Sequence, residues 1–139
     1  MTVLCENGAD PKAIGIEGTA LHTAAGTNHL NIVKYLHTEC GIDINEKGVM
    51  FGTALQKAIR YGCLEVVQYL LENGADVNAK ANLFDLSALG IALWNWEKEK
   101  LCIAEILQEY GATLTATDRI CLWFGQLISK CLKLVCGGQ

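Results

Sequence analysis

Apolar positions along this chain fall in short helical stripes separated by small and polar residues, not in long runs. In Leu64-Glu65-Val66-Val67-Gln68-Tyr69-Leu70-Leu71, residues Leu64, Val67, Leu70 and Leu71 recur at helical spacing and predict a short amphipathic helix. Leu30-Asn31-Ile32-Val33 and Leu101-Cys102-Ile103-Ala104 begin stripes of the same kind. Ahead of each stripe lies a second, shorter helical run: Thr19-Ala20-Leu21-His22, Thr53-Ala54-Leu55-Gln56 and Ser87-Ala88-Leu89-Gly90. The leading Thr or Ser can cap a helix, because its hydroxyl accepts from an amide of the first turn. Small Ala24, Ala25 and Ala58 allow close helix approach, and Asn28-His29 or Gly62-Cys63 breaks the chain between the two helices. Gly74 suits a left-handed helix end, and Asp76-Val77-Asn78 starts an extended turn. Such helices are too short to persist alone in water, so neighbouring pairs must stack.

The pattern is periodic. Thr19, Thr53 and Ser87 stand 34 residues apart each time (53 − 19 and 87 − 53). A second landmark, Gly41-Ile42-Asp43, Gly74-Ala75-Asp76 and Gly111-Ala112-Thr113, follows each, and Gly8-Ala9-Asp10 precedes the first. Several ordered landmarks recurring at one period resemble the ankyrin repeat family. The resemblance covers roughly residues 1–116. It implies an all-α solenoid of helix-turn-helix units with protruding hairpin-like loops, closed by a C-terminal capping helix. The expected divisions are a partial repeat over 1–13, repeats over 14–47 and 48–80, an irregular repeat with an insertion over 81–116, and a capping helix and tail over 117–139.

Departures from the family pattern carry expectations of their own. The family's proline after Thr is Ala20, Ala54 and Ala88, which gives up a pre-organised first helical position. The family's histidine survives only as His22, so Gln56 and Gly90 leave the usual inter-repeat hydrogen bond in question. The third unit has three extra residues before its second helix, within Trp94-Asn95-Trp96-Glu97-Lys98-Glu99-Lys100, which lengthen a helix or form a bulging loop.

At the N-terminus, Thr2 to Pro11 read as the end of a second helix and its turn. A half repeat cannot bury its own apolar face, which favours a fragment of a longer array over a poor cap. At the C-terminus, Asp118 is expected to cap a helix that buries Ile120, Phe124, Leu127, Ile128, Cys131 and Val135 on one face. Leu122, Trp123 and Leu134 lie off that face, so self-association through this end is an alternative.

Composition sharpens the reading by exclusion. Hydrophobic residues are 51% and charged residues 19%, a globular balance. Net charge is −4 and the basic residues are scattered, which argues against nucleic acid. Seven cysteines, an odd number without zinc or redox spacing, point to reduced thiols and a cytoplasmic setting. No apolar run is long enough to span a bilayer. His22, His29 and His37 fit structural positions better than a metal or catalytic site, and no glycine-rich phosphate loop occurs. The expectation is therefore no enzyme, no cofactor and no metal. Asn78 is read as a turn-stabilising asparagine, although in ankyrin-like animal proteins such residues can be hydroxylated.

Hairpin tips and first-helix ends usually form the concave binding surface of this family. Carried onto this chain, the positions of interest are Val49, Met50, Arg60, Tyr61, Leu83, Phe84, Trp94, Asn95 and Trp96. Aromatic, Met and Arg side chains are enriched as interface anchors, and a solvated tip does not need them. Packing under the loops as satellite core is the competing account for each residue singly. The expected function is a protein–protein interaction module or scaffold. The alternatives are a self-associating array or a fragment of a longer ankyrin protein, including a host-directed effector.

Overall fold

The computed structural model describes residues 8, 10–49, 52–80, 86–94 and 98–123, with the side chains of 98–101 excepted. Three helix pairs follow one another: α1 (Ala20–Gly26) with α2 (Leu30–Thr38), α3 (Ala54–Arg60) with α4 (Leu64–Glu72), and α5 (Ala88–Trp94) with α6 (Lys98–Glu109). Residues 116–123 form a further helical segment. Before α3 the chain makes a small antiparallel ribbon, β1 (Lys47–Gly48) with β2 (Gly52–Thr53), in which Lys47 faces Thr53 and Gly48 faces Gly52. The first unit has only an isolated bridge between Gly15 and Gly18 at the matching place.

Local chemistry sets the ends of these helices. Thr53 opens α3 with a reciprocal cap: its hydroxyl accepts from the Gln56 amide (3.4 Å), and its own amide donates to Gln56 Oε1 (3.1 Å). Thr19 and His22 do the same at α1, where Thr19 N–H donates to His22 Nδ1 (3.2 Å). The tight turn inside each pair needs a left-handed residue. Gly62 supplies it in the second unit (φ 72°), and Asn28, one of the few other residues that tolerate that region, supplies it in the first (φ 58°).

The first helices form one layer, α1 against α3 and α3 against α5, and the second helices form the other. Contact within the first-helix layer is the closer of the two. Repeated leucines fill the seam. Leu21, Leu55 and Leu89 from the first helices, and Leu36, Leu70 and Leu107 from the second, are all buried. Each contributes about 1.5–3 kcal/mol of apolar burial. In α4 the buried stripe is Val66, Val67, Leu70 and Leu71, while Leu64 at the helix start is exposed instead of facing the core.

Polar side chains tie unit to unit. His22 Nε2 reaches the Gly52 carbonyl (3.1 Å). Because Nδ1 accepts from Thr19 N–H, Nε2 carries the proton and donates. Gln56 makes the equivalent link, donating from Nε2 to the Ala79 carbonyl (2.7 Å). Replacing His by Gln therefore keeps the bond that the sequence left in question. At the loop bases Asn45 donates to Gly74 O (3.1 Å) and accepts from Asp76 N–H (2.7 Å). Asn78 repeats this one unit on, donating to Gly111 O (3.2 Å) and accepting from Thr113 N–H (2.9 Å).

Gly90 has no side chain to offer, and the third unit is completed differently. Asp118, fully buried, accepts from Ser87 N–H through Oδ1 (3.1 Å) and from Thr115 N–H through Oδ2 (2.7 Å). Thr115 is the cap of the 116–123 helix and Asp118 its third-residue partner, which corrects the expectation that Asp118 is itself the cap. Asp118 also sets the rotation of this helix. Asp118 is buried, positions 121 and 122 are half-buried, and Ile120 is 56% exposed instead of buried as expected. The rest of that expected face, Phe124 to Val135, lies outside the described residues. The extra residues of the third unit lengthen its second helix: α6 begins three residues before Leu101 (101 − 98) and has 12 residues where α2 and α4 have 9.

Candidate protein-binding face

The first two hairpins lie side by side because glycines remove the bulk between them. A Cβ at Gly48 would stand 3.1 Å from the His22 ring and 3.2 Å from the Gly18 backbone. Ile14 and Ile16 on the first hairpin hold the same sequence register as Lys47 and Val49 on the second. Ile16 is 79% exposed, and Ile14 and Val49 are each more than half exposed.

The ends of the first helices continue this side. Tyr61, just past α3, rests on Gly26 at the end of α1, where a Cβ would stand 3.3 Å from Tyr61 Cδ2 and 3.1 Å from Lys57 Cε. Tyr61 remains mostly exposed, as does Trp94, the last residue of α5. Arg60 is exposed and holds the same register on α3 that Trp94 holds on α5. Lys57 runs its stem beneath Gly26, with its side chain 4% exposed, and its ammonium reaches Glu17 on the first hairpin (3.0 Å).

Val49, Arg60, Tyr61 and Trp94 are therefore all exposed on hairpin tips or first-helix ends. Met50, Leu83, Phe84, Asn95 and Trp96 lie outside the described residues. Ile14 and the Lys57–Glu17 link are not among the residues expected from the sequence. The isoleucines were legible as apolar residues flanking Gly15 in a loop. The ion pair was not, because residues forty positions apart meet only when two units stack.

Other reactive groups are used structurally. Burial holds the His22 imidazole below its ordinary range, with Lys57 adding to the effect and the Gly52 carbonyl opposing it. Burial pushes the Cys63 thiol up, and its Sγ points at the Gly26 carbonyl. His37 Nδ1 and Tyr69 OH meet at 3.0 Å across α2 and α4, with burial raising the Tyr69 phenol. Among the described residues, no group of three or more His, Cys, Asp or Glu could hold a metal ion, and no helix is long and apolar enough to cross a membrane.

Stacked helix pairs with hairpins projecting from one edge define a helical repeat solenoid. A family model described as Ankyrin repeats (3 copies) matches residues 1–81 and again 53–118. The chain belongs to the ankyrin-repeat family. It is 34% identical over 104 residues, 75% of its length, to Ankyrin repeat and SOCS box protein 5 of Bos taurus. It is 37% identical over 82 residues (59% of its length) to Alpha-latrocrustotoxin-Lt1a of Latrodectus tredecimguttatus, and 40% identical over 75 residues (52%) to Palmitoyltransferase AKR1 of Lachancea kluyveri. The match spans 29%, 6% and 10% of those three relatives respectively. Ankyrin repeats are protein–protein interaction modules and typically not enzymes themselves. That a toxin and a palmitoyltransferase each match part of this chain fits that generic role, because function resides in sites and not in the fold.

Proposed function

We propose that this chain is a protein-binding module whose partner seats against the hairpin tips and first-helix ends. The observation that carries the reading is the row of exposed large apolar side chains on that side: Ile14, Ile16, Val49, Tyr61 and Trp94. A folded surface tolerates scattered apolar residues, but several on adjoining loops and helix ends favour a contact surface. Tyr61 and Trp94 are the anchors, because large rings bury much area at little conformational cost. Met50, Leu83, Phe84, Asn95 and Trp96 extend the same proposed surface. The stack holds Tyr61 and Trp94 in place before the partner arrives, which lowers the ordering cost of binding.

The proposed setting is cytoplasmic, with the chain acting as a scaffold element. Among the described residues, Cys63, Cys102 and Cys121 form no disulfide, which suits a reducing compartment.

Affinity capture with the intact chain and a Tyr61→Ala/Trp94→Ala variant, side by side, tests the face. A protein retained by the parent and lost with the variant, at unchanged helix content, is the expected result. Equal retention by both rejects the face.

A second reading, end-to-end association of copies, has one specific observation in its favour. An open groove lined by Ala20, Thr23, Ala24, Thr27, His29 and Ile32 lies on the α1–α2 side away from α3. Thr23 there matches the stacking positions Lys57 and Ile91 of the later units, both buried. Sedimentation of the chain and of a Thr23→Lys variant separates the readings: association abolished by the substitution supports pairing of copies, and a monomer at high concentration rejects it.

A further inference from the structure

We propose that the C-terminal end of this chain rests on an anionic lipid surface, through a basic amphipathic segment that begins with Arg119, Ile120 and Trp123. This surface is separate from the hairpin face, and the proposal does not rest on that face.

The 116–123 helix supplies the structural half of the case. Asp118 is fully buried and accepts from Ser87 N–H and Thr115 N–H, which fixes the rotation of the helix on the stack. Cys121 and Leu122 share the side of Asp118 and are half-buried. The opposite side carries Arg119, Ile120 and Trp123, all exposed, with Ile120 at 56% and Trp123 at 60%. A helix that merely caps a repeat stack is polar on its outside. Here a carboxylate points inward and the large apolar side chains point outward.

Beyond residue 123 the sequence continues the pattern. At about 100° per residue, Phe124, Leu127, Cys131 and Leu134 fall on one side with Ile120 and Trp123, whereas Gln126, Lys130 and Lys133 group with Arg119. Trp123 stands at the border, beside Lys130. Charge divides at the same place. Residues 119–139 contain Arg119, Lys130 and Lys133 and no Asp or Glu, so the part of the chain before them holds 8 basic against 15 acidic residues (11 − 3 and 15 − 0).

A cationic amphipathic segment behind an acidic body has the composition of an interfacial helix. A bilayer supplies anionic headgroups beside an apolar layer along the whole segment, so no fitted groove is required. Tryptophan between the apolar and cationic sides matches headgroup depth, and lysine stems reach from the apolar layer to the charged one. This is attachment and not a span: among the described residues no helix is long and apolar enough to cross a membrane.

Co-sedimentation of the full chain with phosphatidylcholine vesicles, with and without phosphatidylserine, tests the proposal. The expected result is retention on the phosphatidylserine vesicles, about tenfold or more above phosphatidylcholine alone and weakened by added salt. Ile120→Ser/Trp123→Ser, at unchanged helix content, is expected to cut that retention about tenfold or more. Lys130→Gln/Lys133→Gln is expected to lower it by a similar factor and to flatten its salt dependence. No retention, or equal retention with and without phosphatidylserine, overturns the proposal. So does parent-level retention of the Ile120→Ser/Trp123→Ser variant. Retention lost with Tyr61→Ala/Trp94→Ala places the lipid contact on the hairpin side and also overturns it, whereas that variant held like the parent supports a separate surface. A chain that ignores vesicles but forms an oligomer dissociated by Ile120→Ser/Trp123→Ser assigns the face to a second copy and rejects the lipid.

Discussion

Gly90 and Asp118 are shaped to one another: a Cβ on Gly90 would overlap the Asp118 carboxylate, which fills that space and accepts the Ser87 amide. In the first two units the corresponding cap acceptor comes from the same helix, as His22 or Gln56. In the third it comes from the segment that follows. The third unit and the 116–123 helix therefore stand or fall together.

Substitution at this pair should be strongly non-additive. Gly90→Ala gains about 1 kcal/mol of helix propensity but forces the buried carboxylate aside, for a net expected loss of about 1–3 kcal/mol. Asp118→Ala leaves the amides of Ser87 and Thr115 without their acceptor and should cost about 2–4 kcal/mol. Gly90→Gln combined with Asp118→Ala recreates the arrangement of Gln56 and should recover part of that loss. Urea-unfolding midpoints of the three variants decide it: simple addition of the single costs would show that the two positions are not coupled.

His22 should make stability fall on mild acidification. Its folded pKa lies below the ordinary 6.5, so protons bind the unfolded chain first as pH drops through that value. The contribution is fully present above about pH 6.5 and is lost as pH falls toward the lowered folded pKa. Gln56 demonstrates that a glutamine can make both the cap bond and the inter-unit bond. His22→Gln should therefore fold and should flatten the decline. Thermal melts from about pH 7.5 to about pH 5 compare the two, and parallel curves would exclude His22 as the source.

Lys57 should matter more for its stem than for its charge. The stem is packed beneath Gly26, while Glu17, its partner, is 66% exposed and so partly screened by solvent. Lys57→Met should change stability by less than about 1 kcal/mol, whereas Lys57→Ala opens a gap between α1 and α3 and should cost about 2 kcal/mol or more. Denaturant titration measures both. Equal losses would make the ammonium, and not the packing, the important part.

The repeat was legible because its causes are local. Thr19, Thr53 and Ser87 each precede a helix whose first turn they help to cap, and Gly62 and Asn28 mark the turn between helices. Tyr61, Trp94, Arg60 and Val49 were legible as residues with no evident core role on a loop or helix end, and all four are exposed. The rotation of the last helix was not legible. Its apolar residues suggested that Ile120 faces inward, whereas a single buried carboxylate, Asp118, outweighs that preference, because leaving its hydrogen bonds unmade costs more than exposing one isoleucine.

What the sequence determined by itself is therefore the unit: its period, its two helices, its capping residues and its membership of a stacking family. What only the tertiary structure decided is how each unit's polar gaps are closed. Gln56 reaches Ala79, Lys57 reaches Glu17, and Asp118 occupies the space left at Gly90. Propensity and capping act over a few residues and are written in neighbouring letters. These links act over 23 to 40 residues, and they exist only once stacking has brought one unit against the next.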